Sequence, residues 1–166
     1  MERNEQGMEQ TRSCAWNKRR RCSRYNPQAQ KDERLKVVLD TNILVSASFW
    51  NGPSSKIISL VSSDLIMCFT SNSLLEEYHK VILRDFNISE DSFNERQKDL
   101  LKIATVVYPT QKLFACEDKD DNKVLEVALC ANADFIISGD KHLLKMSEFE
   151  GIKIVTARQF IELFTL

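Results

Sequence analysis

Four acids stand where the sequence could do chemistry: Asp40, Glu77, Asp121 and Asp140. Asp40 ends the apolar run Leu35-Lys36-Val37-Val38-Leu39 and opens Asp40-Thr41-Asn42, while Asp140 follows Phe135-Ile136-Ile137-Ser138-Gly139. Asp121 closes an acidic stretch that begins at Glu117, and Glu77 lies one turn into the helix that follows a second apolar run at residues 65–69. Carboxylates that gather in one cleft repel each other and destabilise a fold unless a cation compensates them. Convergence of these four therefore points to a hard divalent ion, Mg2+ or Mn2+, which takes oxygen ligands, keeps part of its water shell and is completed by substrate phosphate. In two-metal sites one ion activates water and the other stabilises the leaving oxygen, as in many nucleases.

Such convergence needs elements that bring distant positions to one edge. Residues 35–39, 65–69, 105–108, 135–138 and 152–155 read as five short buried strands, rich in β-branched and aromatic residues and bounded by polar or turn residues. Helical runs fall between them: from Ser54 or Ser55 to about Val61, from a Ser73/Glu76 capping box to about Arg84, from Ser89 to Ala104, over Val124 to Ala131, briefly at Leu143-Leu144, and from a Thr156/Gln159 capping box to Phe164. Strand and helix alternate, so an α/β fold is expected: three α/β/α layers around a central parallel sheet of about five strands joined by right-handed crossovers. In open α/β sheets ligands bind outside the carboxyl ends of the strands. Asp40 and Asp140 sit at strand ends, and Asp121 and Glu77 start the helices of that edge.

With these residues in view, the chain resembles the PIN-domain family of metal-dependent ribonucleases, in particular the VapC-like toxins of toxin-antitoxin systems. The resemblance is carried by Val38-Leu39-Asp40-Thr41-Asn42-Ile43-Leu44-Val45-Ser46-Ala47, Leu74-Leu75-Glu76-Glu77-Tyr78, Asp118-Lys119-Asp120-Asp121-Asn122-Lys123-Val124-Leu125-Glu126 and Ala133-Asp134-Phe135-Ile136-Ile137-Ser138-Gly139-Asp140-Lys141-His142-Leu143-Leu144, in that order. It implies that Asp40, Glu77, Asp121 and Asp140 are catalytic, metal-binding acids, that Asn42 supports Asp40 by hydrogen bonding, and that Ser138 lines the crevice. Glu76 competes with Glu77, but as the capping-box partner it already has a structural job. Asp118 and Asp120 compete with Asp121, which best matches the family position. The implied activity is endonucleolytic hydrolysis of RNA leaving 5′-phosphate and 3′-hydroxyl ends, with a cognate antitoxin and a homodimer as expected partners. The alternative is a PIN-fold scaffold that binds metal or RNA without cutting.

The remaining polar and aromatic candidates have plainer readings. His79 lies on a charged helix stretch and His142 beside Asp140; Lys119, Lys123 and Lys141 flank the acids as ordinary solvated lysines or phosphate contacts. Trp50 and Phe49 could stack a base, with packing as the simpler role. A haloacid-dehalogenase-type phosphatase needs a second aspartate two residues after the first, and that position is Asn42.

Composition sets the outer bounds. The 166 residues are 43% hydrophobic, enough for one core, and their 23 Lys+Arg nearly offset 24 Asp+Glu. The balance is uneven, because residues 1–34 carry nine bases against five acids and almost no aliphatic side chains. That segment is expected to be a disordered basic extension, with the PIN domain at 35–166. No apolar run approaches the roughly 18 residues a membrane span needs. Five scattered cysteines without a C-x-x-C pair suggest reduced thiols and a cytoplasmic protein, with Cys68 and Cys130 buried as small hydrophobes and Cys14 and Cys22 incidental.

Overall fold

The computed structural model describes residues 34–86, 88–116 and 118–165, so the expected N-terminal extension lies outside it apart from Arg34. In chain order the elements are β1 (Lys36–Leu39), α1 (Thr41–Phe49), α2 (Pro53–Ser62), β2 (Met67–Thr70), α3 (Asn72–Phe86), α4 (Glu90–Ile103), β3 (Ala104–Val106), α5 (Lys119–Ala131), β4 (Phe135–Ile137), α6 (Lys141–Met146), β5 (Glu148–Phe149), β6 (Ile152–Val155) and α7 (Ala157–Phe164). The sheet has the order β3-β2-β1-β4-β6-β5 and is parallel except for β5, which runs antiparallel to β6.

Helices cover both faces. Alternate side chains of β1 divide between them: Val37 and Leu39 join a core with Ile43, Ile57, Tyr78, Ile82, Phe93 and Phe160, whereas Val38 joins Phe69, Val124, Leu125, Ala128, Ile136 and Leu143. Each fully buried Leu, Ile or Phe contributes about 1.5–3 kcal/mol, so the two cores hold β1 firmly at the middle of the sheet. From β1 the chain winds outward through β2 and β3, then returns across the sheet to β4 on the other side of β1. The β1/β4 boundary is thus the topological switch point, where such sheets open a crevice.

Three local features depart from the sequence reading. Helix α1, unassigned above, follows β1 with only Asp40 between them; its Thr41, Ile43, Leu44 and Val45 are all buried, so it lacks the polar stripe that betrays a surface helix. Helix α3 starts earlier than the Ser73/Glu76 box predicts. Ser71 Oγ accepts from the Leu74 amide at 3.4 Å and pairs with Ser73 Oγ at 2.9 Å, while Glu76 is exposed. Strand β5 is a two-residue addition, turned onto β6 through Glu150 (φ 50°) and Gly151 (φ 83°), the paired positive φ angles of a tight hairpin turn. The Thr156/Gln159 capping box does open α7. Cys68 is buried and free, whereas Cys130 is half-buried and disulfide-bonded, contrary to the reduced thiol expected. Among the described residues no helix is long and apolar enough to cross a membrane.

Candidate active site

The centre of the site follows from the ladder between β1 and β4. The Asp40 amide donates to Ile137 O at 3.0 Å, and the Ser138 amide donates to Val155 O at 3.0 Å, which carries both residues past the strand ends at the switch point. Ser138, fully buried, then joins two acids: its hydroxyl donates to Asp40 Oδ2 at 2.6 Å and accepts from the Asp140 amide at 2.9 Å. Asp140 is the N-cap of α6, with Oδ1 accepting from the His142 amide at 2.6 Å.

Asp40 is buried, and its carboxyl is held above the usual range, first by burial and further by the charge of Asp140. The Ser138 hydroxyl and the backbone amides of Thr41 and Asn42 oppose that shift. Asn42 therefore acts on Asp40 through its main chain; its side chain is exposed.

Asp121 enters from the first turn of α5. Asp118 and Asp120 are exposed, the former accepting from the Asp120 amide at 2.9 Å as N-cap and the latter paired with Lys123. Asp121 is only 8% exposed, and its Oδ2 is buried without a hydrogen-bond partner. Burial, then the charges of Asp140, Asp118 and Asp40, push its pKa up to about 6, against a smaller opposing effect of His142. Glu77 approaches from α3, half-buried, with Oε2 likewise buried and unpartnered and Lys123 Nζ 3.8 Å away. Burial raises its pKa most, with Asp120 and Asp40 adding and the Thr41 hydroxyl and Lys123 opposing. Glu77 is distinguished from Glu76 by this burial and not by a capping role for its neighbour.

Asp40 is thus the common neighbour: it feels the charge of Asp140 and acts on both Glu77 and Asp121, and Asp140 acts on Asp121 as well. Among the described residues no three His, Cys, Asp or Glu side chains form a ready-made metal cage. The donor set nevertheless fits a hydrated divalent cation: all hard oxygens, with a buried Asp121 Oδ2 that makes no hydrogen bond and a buried Glu77 Oε2 that lies 3.8 Å from Lys123 Nζ. A buried unsatisfied charge is costly, and a cation offsets that cost directly.

Two residues escaped the sequence reading. Asn122, buried beside Asp121, accepts from the Ala115 and Cys116 amides at 2.8 and 2.9 Å and donates to Cys116 O and Asp118 O at 2.8 Å each. Glu126, four residues on, accepts from the Leu113 amide at 3.0 Å and from Lys112 Nζ at 3.2 Å. Together they clamp the segment leading into the acids; the only sequence signal was an amide and an acid at i, i+4 spacing, the acid standing alone in the apolar run from Val124 to Ala131. His79 stacks on Phe93 with centroids 4.2 Å apart and meets Glu90 Oε2 at 3.3 Å, away from the acids. Phe49 stacks on Phe86 at 4.0 Å, with Trp50 edge-on to both. Of the flanking lysines, Lys123 is paired with Asp120 and Glu77, and Lys141 is exposed.

A family profile described as PIN domain matches residues 36–142. An uncharacterized protein of Methanocaldococcus jannaschii, MJ1680, is 31% identical over 144 residues, covering 79% of this chain and 92% of that protein. Among solved structures, VapBC2 from Rickettsia felis bound to a DNA fragment from their promoter superposes with a TM-score of 0.54 at 12% identity, over 72% of this chain and 97% of the other. The PIN domain of T. brucei RRP44 matches with a TM-score of 0.46 at 11% identity, over 80% of this chain and 82% of that one.

Proposed function

Because this chain belongs to the PIN-domain family, a family of nucleases, we propose that it is a metal-dependent endoribonuclease that hydrolyses RNA phosphodiester bonds. The observation that carries the reading is the buried Asp121 oxygen that makes no hydrogen bond and feels the charges of Asp140 and Asp40, with Glu77, also acted on by Asp40, as a further acid. Mg2+ or Mn2+ would be held by these four acids and would supply charge compensation and activation of the attacking water. The chain's own part is geometric. Ser138 fixes the Asp40 carboxylate with its single proton and the Asp140 main chain with its lone pair. The Thr41 and Asn42 amides favour the charged form of Asp40, and burial keeps competing water from the inner oxygens of Glu77 and Asp121.

A role as the toxin of a toxin-antitoxin pair, acting in the cytoplasm, with a protein antitoxin and a second copy as partners, follows from the motif resemblance. Incubation of end-labelled RNA with the protein in Mg2+, in Mn2+ and in chelator tests the reaction. Internal cleavage restored by metal and lost in Asp40→Asn supports it. Binding without cleavage in every metal would favour the non-cutting scaffold instead.

A further inference from the structure

We propose that Phe114 is a base-stacking residue of the RNA-binding surface, presented beside the acidic cleft by the Asn122 and Glu126 clamps. The inference rests on the reading that RNA is the substrate. Phe114 is 90% exposed, against 56% for Trp50, whose ring is engaged by Phe49 and Phe86. An exposed ring on a loose loop would mean little, but this backbone is held on both sides. The Leu113 amide is bound by Glu126, and the Ala115 and Cys116 amides by Asn122, two side chains four residues apart on α5.

The same Asn122 donates to Asp118 O, three residues before Asp121, so one side chain holds both the backbone beside the ring and the Asp121 end of α5. Chain length keeps Phe114 near: Cys116 is two residues away, within about 7 Å, and the charges of Asp121, Asp118 and Asp140 reach its thiol, while its Sγ meets Met146 Sδ at 3.3 Å at the far end of α6. Lys112, its side chain 74% exposed while anchored to Glu126, places a cation two residues before the ring.

A fixed, exposed aromatic with a neighbouring cation at the edge of a phosphodiester-cleaving cleft matches how single-stranded nucleic acid is held, by stacking of unpaired bases with backbone electrostatics. Fixing the backbone in advance lowers the ordering cost of binding.

The test uses the full chain, Mg2+ and a short fluorescent oligoadenylate, intact or carrying one abasic position moved along the strand. Phe114→Ala should raise KM by about 5- to 150-fold, the range of one lost base stack, with no shift in melting temperature. Phe114→Tyr should restore KM and Phe114→Leu should not. One abasic position should weaken binding to wild type but not to Phe114→Ala. Wild type that neither binds nor cuts the RNA overturns this proposal together with the ribonuclease reading. Wild type that cuts while Phe114→Ala leaves KM within twofold overturns this proposal alone. Equal rescue by Leu and Tyr, or a change of oligomeric state in Phe114→Ala, also overturns it, assigning the ring to a protein contact.

Discussion

Helix α5 carries two acids buried to the same degree, Asp121 at 8% exposure in its first turn and Glu126 at 7% in its middle, and they differ in what surrounds their oxygens. Both Glu126 oxygens are occupied, by the Leu113 amide and by Lys112. One Asp121 oxygen is orphaned, and the nearest charges are other carboxylates. Burial alone therefore does not separate the two acids; the partners and charges around their oxygens do. Glu126 serves the fold, and Asp121 costs the fold something that a cation would return.

The largest effect expected from this contrast is on catalysis. Asp121→Asn should lower cleavage by more than the roughly 10–100-fold typical of losing a group that merely supports a metal ligand, whereas Glu126→Gln, which retains the acceptor for the Leu113 amide, should stay well inside that range. Cleavage rates in saturating Mg2+ decide, and comparable losses in the two variants would erase the distinction.

Next comes stability, where the order reverses. Glu126→Ala strands the Leu113 amide and should cost about 1–3 kcal/mol. Asp121→Asn removes a repelled charge and should leave the metal-free protein as stable as wild type or more so, while abolishing the rise in melting temperature that Mg2+ or Mn2+ gives by binding the folded state. Calorimetry with and without metal reads both. A metal-induced shift retained in Asp121→Asn would move the ligand role to Asp120.

A smaller effect concerns pH in chelator. The folded chain holds the Asp121 proton up to about 6 against an ordinary value of 3.8, so between those limits the native state binds more protons than the unfolded state. The stability from that protonation is complete at the low end and is lost as pH rises through about 6. Melting temperature should thus fall from about pH 5 to about pH 7, and fall less in Asp121→Asn, with Asp40 and Glu77 supplying the remaining slope through their own raised values. Identical slopes would show that Asp121 is not the group repelled.

The smallest effect sharpens the comparison from outside α5. Thr70 Oγ1 at the end of β2 is also buried and unpartnered, but neutral. Thr70→Val removes the orphan without a cavity and should stabilise by up to about 1 kcal/mol. A drop in cleavage at unchanged stability would instead bring Thr70 into the site.

Why some of this was legible and some was not follows from the range of the interactions. Asp40 and Asp140 could be read because each stands where an apolar strand gives way to polar residues, and the alternating order of elements places such ends on one edge. Separating Asp121 from Asp118 and Asp120 needed the helix start, and the structure shows three different environments within four residues. Glu77 was read from the motif resemblance and from a capping role for Glu76, and the second ground fails, since Ser71 and not a Ser73/Glu76 box opens α3. Helix α1 escaped because burial removed the polar face that periodicity detects. The Asn122 and Glu126 clamps escaped because their partners are main-chain amides of an irregular segment, which no side-chain pattern announces.

The bond from Ser138 to Asp40 spans 98 residues of sequence, and this has a consequence for synthesis. A ribosome that has released β1, α1, β2 and α3 has produced Asp40 and Glu77, but neither Ser138 nor Asp140. The strand that flanks β1 at the crevice, β4, is made after α5. A nascent chain at that stage therefore carries two of the four candidate acids without the serine and the strand that align them, and on the proposed reading it could not cut before Asp140 had been made.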